Sequence, residues 1–297
     1  MFTGLSAFPL TPVKQDGIDE VAFIRLVERL VIAGVDSIGV LGSTGNYAYL
    51  SRAERARAAQ LAVDHAGTVP VIIGISALRT RDILTLAEDA QAAGAHGVLL
   101  APMSYQALSE DEVYGLYETV SAHLSVPLCV YDNPGTTHFT FTDDLHGRIA
   151  ALPKVASIKI PGVPETPVAA KERVKRLKAV IPPHVTVGVS GDAMAATGLN
   201  AGCDAWYSVI GGLFPATALA ITRAAQAGEG IQAQRLSDQL RPLWELFSKH
   251  GGSLRVVASA AELLRLVDAP CLPLPLKALE DEDRRMLATV LDELTPS

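Results

Sequence analysis

Aromatic residues make up only 5% of this 297-residue chain, and there are three cysteines. Cys129, Cys203 and Cys271 are odd in number, far apart and set in apolar segments, so they read as small core hydrophobes in a reducing compartment rather than a disulfide framework. Cations are outnumbered: 25 Lys and Arg stand against 32 Asp and Glu, a net charge of −7. Without a basic stripe, nucleic acid and anionic membranes are not expected as partners, because both demand clustered positive charge. No run of about 18 apolar residues is present to span a bilayer. The opening "MFTGLSAFPLTP" lacks the charged leader and apolar stretch of a signal peptide. A soluble cytoplasmic protein is the expectation. What is abundant is aliphatic and alanine content, with 49% hydrophobic residues, enough for a sizeable interior.

One phrase recurs along the chain. "AGVDSIGVLGSTG" begins at Ala33, "AGAHGVLLAPMS" at Ala93 and "AGCDAWYSVIGG" at Ala201. Each joins a helix-ending glycine to a short apolar run and then a polar or glycine-rich loop, a helix-to-strand hand-over. Further strands are expected at 4–10, 69–75, 127–132, 155–160 and 184–190, giving eight. The spacing predicts helices between them, two opened by capping boxes, Ser51 with Glu54 and Ser109 with Glu112. Eight such units in this length predict an α/β fold, a (β/α)8 TIM barrel. An open doubly wound sheet would want a glycine fingerprint after its first strand, and "GLSAFPLTP" offers none. After about residue 227 the strand patterns stop. Residues 1–227 therefore read as the catalytic barrel, and 228–297 as a C-terminal helical region interrupted by "APCLPLPLKAL".

"VASIKIPG", residues 155–162, places a lysine inside an apolar strand. Alternation puts Val155, Ser157 and Lys159 on one face, and Ala156, Ile158 and Ile160 on the other. With the second set against the helices, Lys159 points into the barrel at the C-terminal end of its strand, where this fold keeps its active sites. An ordinary lysine at a strand end snorkels to water. An inward one is desolvated, which lowers its pKa and frees an amine to attack a carbonyl.

Three other loops share that rim. "GSTGN", Gly42 to Asn46, suits a turn whose backbone N–H groups converge on an anion, with the Ser43 and Thr44 hydroxyls in support. No Gly-Lys-Ser/Thr follows, so a nucleotide P-loop is not indicated. "VYDNPGTTH" brings Tyr131 to a strand end, and "SGDAMA" follows the seventh strand with Ser190, Gly191 and Asp192. Taken singly these are a plain turn, a packing tyrosine and a helix cap. Together, on one rim and in this order, they describe a site. The histidines at 65, 96, 123, 138, 146, 184 and 250 are scattered, with His138 alone assigned to a rim loop; no HExxH or clustered Cys/His spacing offers a metal site.

The set resembles the class I pyruvate-dependent aldolase family that contains dihydrodipicolinate synthase and N-acetylneuraminate lyase. The resemblance runs over nearly the whole chain, including the ending "LPLPLKALEDEDRRML". It implies that Lys159 forms a Schiff base with the ketone of pyruvate or another 2-keto acid and that Tyr131 relays protons. It also implies that Ser43, Thr44 and the Gly45 turn hold the carboxylate. No cofactor or metal is implied, and the assembly implied is a homo-oligomer, a dimer of dimers.

Departures from the family pattern bear on substrate. The arginine that grips the carboxylate of aspartate semialdehyde in the dihydrodipicolinate-forming branch is Thr136 here, and a frequent glutamate is Asn46. The relay tyrosine given by a neighbouring subunit is Ser104, with Tyr105 adjacent. Tyr207 replaces a small aliphatic residue lining the pocket, and Ile160 an acid. The function expected is a Schiff-base lyase or aldolase whose acceptor is not aspartate semialdehyde. The alternatives are 4-hydroxy-tetrahydrodipicolinate synthase and a non-catalytic 2-keto-acid-binding member.

Overall fold

The computed structural model describes residues 1–294. Its strands are β1 (Gly4–Ala7), β2 (Val13–Lys14), β3 (Gly17–Ile18), β4 (Ser37–Val40), β5 (Val71–Gly74), β6 (Gly97–Leu100), β7 (Leu128–Tyr131), β8 (Val155–Ile160), β9 (Thr186–Val189) and β10 (Ala205–Ser208). The helices of the barrel are α1 (Glu20–Ala33), α2 (Arg52–His65), α3 (Thr80–Ala92), α4 (Glu110–Ala122), α5 (Pro134–Thr137), α6 (Asp143–Ala150), α7 (Pro167–Val180), α8 (Ala195–Asn200) and α9 (Pro215–Gln226). Eight parallel strands close a barrel in the order β1-β10-β9-β8-β7-β6-β5-β4, with β4 returning to β1. The expected (β/α)8 architecture is what forms.

Local signals in the sequence act as read. Both capping boxes are made, at Ser51 and Ser109. Gly34, Gly94 and Gly202, the glycines of the recurring phrase, all take positive φ just past a helix, a conformation that costs a residue with a Cβ. Buried side chains split into a large cluster between strands and helices and a smaller one inside the barrel, which holds Phe2, Phe8, Ile72, Leu99, Cys129, Tyr131 and Tyr207. All three cysteines are free and buried.

The hairpin β2–β3, between β1 and α1, was not legible in the sequence. Strict alternation along β8 also fails at its start: Val155 joins the helix-facing cluster and Ala156 packs against the inner one. A register shift between Leu128 and Cys129 of β7 pairs Leu128 with Val155 and Cys129 with Ser157, a bulge that lets both ends of β8 keep their apolar side outward. From Ser157 onward the alternation holds.

Beyond the barrel lie α10 (Gly230–Asp238), α11 (Arg241–Lys249), α12 (Leu254–Leu263) and α13 (Asp281–Leu294). Within the expected helical region, α10 and α11 are separate helices, and Pro242, which lacks an N–H, is accommodated in the first turn of α11. α10 packs on α8 and α9, while α11 and α12 pack on α13. The connector after α12 is tied back to the barrel entrance by Val13 N–H donating to the Cys271 carbonyl at 3.0 Å.

Candidate active site

β7 and β8 run in register so that Tyr131 and Lys159 are Cα partners. Both point inward. Lys159 Nζ lies 4.0 Å from the centroid of the Tyr131 ring and 4.1 Å from that of Phe8, with Tyr207 at 5.8 Å. Lys159 is 3% exposed, and burial drives its amine down to about 8, only partly opposed by Cys129 and Asp192. A fraction of the lysine on the order of a tenth is then unprotonated near neutral pH, against well under a thousandth for a free side chain.

Burial pushes the Tyr131 phenol up to about 12, and the nearby Ser43 hydroxyl pulls the other way. The two are close enough to interact, yet Ser43 Oγ is buried without a well-formed hydrogen bond, so it is a polar atom awaiting a partner. The loop it belongs to is built by sterics. Leu41 and Asn46 both have φ near +60°, and a Cβ on Gly45 would lie 2.9 Å from the backbone nitrogen of Leu41. The Gly45 and Asn46 N–H groups close turns onto Gly42 and Ser43. Those of Ser43 and Thr44 take no part in the loop's internal bonds among the described residues, so they remain free to meet an anion. Asn46 uses its Nδ2 to hold the Thr11 carbonyl at 3.0 Å, anchoring the loop to the segment after β1.

The third motif serves the frame. Asp192 is buried and accepts from Trp206 Nε1 at 2.9 Å, Val209 N at 3.2 Å and Ile210 N at 2.6 Å. Burial still raises it to about 6. It ties the loop after β9 to that after β10, with Ser190 and Gly191 half-buried beside it. Tyr207 is fully buried beneath the lysine.

The remaining sequence-predicted residues do not gather as closely. Thr136 is exposed on α5, and the Thr137 hydroxyl is spent on the Asn133 carbonyl. Ser104 donates to the Gln106 carbonyl at 2.6 Å and lines a groove of about 450 Å³ with Leu78 and Met103. Tyr105 is 90% exposed. A larger cavity of about 1050 Å³ lies between the β2–β3 hairpin and the 268–280 connector, and its lining includes none of the predicted residues. A desolvated amine beside a phenol stands in the lysine cluster and not in the lining of this cavity.

Three neighbours escaped the sequence reading. Phe8 follows β1 on its inward side, a placement that alternation with Ser6 would have revealed. Tyr47, in the 3-10 turn Tyr47–Tyr49, is another buried phenol, raised above its ordinary value by burial and by the nearby Tyr131. It is covered by the Arg55 guanidinium 5.4 Å from its ring, itself held by the Gly74 and Ser76 carbonyls. His146, not His138, is the histidine beside the site's frame, 3.5 Å from the Asp132 carboxylate.

Comparison with known proteins follows the same lines. The model of the dihydrodipicolinate synthetase family matches residues 1–294. The chain belongs to the dihydrodipicolinate synthetase family. A solved structure described as dihydrodipicolinate synthase from Agrobacterium tumefaciens is 42% identical and superposes with a TM-score of 0.95, covering 99% of this chain and 98% of that one. Among curated relatives, a 4-hydroxy-tetrahydrodipicolinate synthase of Persephonella marina is 26% identical over 99% of this chain and 98% of its own length. An Escherichia coli protein named as a candidate 2-dehydro-3-deoxy-D-gluconate aldolase is 27% identical over 99% and 97%. The family is that of the class I aldolases, and the chain is an enzyme of lyase or aldolase type. Among the described residues no helix is long and apolar enough to cross a membrane.

Proposed function

We propose that this family member is a Schiff-base lyase or aldolase acting on pyruvate or another 2-keto acid through Lys159. The observation that carries the reading is the buried Lys159 amine, 4.0 Å from the Tyr131 ring and without an ion pair among the described residues. The neutral amine adds to the keto carbon, and loss of water from the carbinolamine leaves an iminium. The iminium draws electrons from the bond to carbon three, so a proton or an aldehyde departs and an enamine remains. Addition and dehydration each move a proton to or from the former ketone oxygen, the role assigned to the Tyr131 hydroxyl with Thr44 as its relay partner. The free N–H groups and hydroxyls of Ser43 and Thr44, at the Gly45 turn, would hold the carboxylate, and Ser190 and Gly191 would border the substrate from the loop after β9. Thr136 on α5 would face the acceptor with a hydroxyl in place of a cation. Leu78, 59% exposed, and Tyr105 stand on neighbouring rim loops as an apolar face suited to a second copy of the chain, in keeping with a homo-oligomer.

The test is covalent capture. Pyruvate followed by borohydride is expected to leave one reduced adduct, mapped by peptide mass to Lys159 and absent from Lys159→Ala. An adduct of equal yield in the alanine variant, or one mapped to Lys14 or Lys154, refutes the assignment.

A further inference from the structure

Two large rings lie under and beside Lys159, and glycines on neighbouring strands make room for them. The Tyr207 ring reaches from β10 across β9, where a Cβ on Gly188 would stand 2.3 Å from its Cε2 atom. Its hydroxyl is 2.5 Å from Ser157 Oγ on β8 and 3.5 Å from Cys129 Sγ on β7. Thr186 Oγ1 in turn donates to Ser157 Oγ at 2.8 Å. Tyr207 is thus fixed across the barrel from one wall to the other. Phe8 meets it edge-on, with centroids 6.2 Å apart and planes at 77°. Phe8 occupies space that Gly39 and Gly42 leave open, since a Cβ there would come within 2.2 and 2.7 Å of the ring. Ser157 precedes Lys159 by two positions on the same face, so the Tyr207 hydroxyl is anchored one layer below the amine. It is not available to a substrate above it.

We propose that Tyr207 and Phe8 are positioning residues for Lys159, an aromatic floor that shuts the barrel interior to water beneath the amine and aims Nζ at the rim; the inference rests on the reading of Lys159 as Schiff-base nucleophile. Two effects of the rings oppose each other. Their faces attract an ammonium ion, whereas their bulk denies it water. Exclusion of water wins, because no carboxylate lies within ion-pair distance of Nζ among the described residues and burial holds the amine down at about 8. The other groups facing it do not reverse this. Cys129, on β7, is pushed up to about 11 and stays a neutral thiol, and the Tyr131 and Tyr207 phenols are held neutral by burial. Asp192, after β9, favours the ammonium but is engaged by three donors of its own. A small aliphatic residue at 207 would leave a gap over Gly188 into which water can pass.

The experiment titrates Lys159 directly. The full-length protein is treated with trace acetic anhydride from about pH 6 to about pH 11, and acetylation of Lys159 is read by peptide mass; pyruvate imine formation is followed over the same range. In Tyr207→Leu and Phe8→Leu the acetylation midpoint is expected to rise by about one unit or more toward the ordinary lysine value. Imine formation should then slow roughly ten-fold at pH 7 and recover at high pH. Tyr207→Phe, which keeps the ring, should stay near wild type. Leu variants that fold, by circular dichroism, yet keep the wild-type midpoint or lose rate by one factor at every pH overturn the proposal. Phe8→Leu decides the matter by itself should Tyr207→Leu not fold. A wild type that forms no pyruvate adduct rejects the Schiff-base reading instead, and the acetylation midpoints still decide the floor.

Discussion

Tyr131 and Lys159 share a register position on adjacent strands, so the phenol is held beside the amine by the barrel itself and not by a loop. That placement makes Tyr131→Phe an informative change: the ring that packs on Lys159 remains, and only the hydroxyl is lost. Imine formation with pyruvate is expected to slow roughly 10²-fold or more, the usual size of a general acid–base contribution, with the melting temperature near wild type. A single-turnover rate equal to wild type would leave Tyr131 a packing residue. Both residues were legible in the sequence because period-two alternation near a strand's C-terminal end says which side chains face inward. Alternation misplaced Val155, since a bulge is a property of two paired strands and one strand's sequence does not report its partner's register. Tyr47 was hidden for a related reason: it sits in an irregular turn, where no period assigns a face.

The rim loops differ in how firmly they are held, and that difference bears on substrate choice. The 42–46 loop is locked by left-handed residues at both ends and by Asn46 on Thr11, as suits a subsite for the carboxylate common to all 2-keto acids. The loop after β7 carries the four-residue α5, whose Thr136 is exposed. With no cation at 136, an acceptor's own carboxylate loses a charge-assisted contact commonly worth about 1.5 to 3 kcal/mol, roughly ten- to a hundred-fold in kcat/KM. Aspartate semialdehyde is therefore expected to be a poorer acceptor than neutral or hydroxylated aldehydes, and Thr136→Arg to shift the ratio toward it. Paired kcat/KM values for the two aldehydes on both proteins check this. Efficient wild-type condensation with aspartate semialdehyde would favour the second reading, 4-hydroxy-tetrahydrodipicolinate synthase, the name carried by relatives that match almost the full chain. Elements of this kind were readable where a local rule governs them, as at the capping boxes and helix-ending glycines. The β2–β3 hairpin was not, because its strands of two residues each are too short to show alternation.

At the scale of the whole molecule, a buried pair that the site does not use is expected to shape how stability varies with pH. The Asp132 carboxylate and His146 Nε2 are 3.5 Å apart behind β7, with the imidazole stacked on Phe141 at 4.8 Å and neither of its nitrogens hydrogen-bonded. Burial raises Asp132 to about 7, with Arg173 lowering it slightly, and lowers His146 to about 4, with Arg173 acting in the same direction and Asp143 against it. An acid with a raised folded pKa binds more protons folded than unfolded, so Asp132 makes stability fall as pH rises from about 4 to about 7. A histidine with a lowered folded pKa does the reverse, so His146 makes stability fall as pH drops from about 6.5 to about 4. Over the shared window each state carries one proton on the pair, on the aspartate when folded and on the histidine when unfolded, and the two slopes cancel. His146→Gln removes one side of the balance. Its melting temperature, compared with wild type, should decline progressively as pH rises from about 4 to about 7, on the order of 1.4 kcal/mol per unit at full effect. Asp132→Asn should decline in the opposite direction, as pH falls, and the double variant should run parallel to wild type. Asp192, raised to about 6, slopes all four curves alike and drops out of the comparison. Single-variant curves parallel to wild type would show that the pair titrates as it does in the unfolded chain, and that its burial leaves no imprint on the stability of the fold.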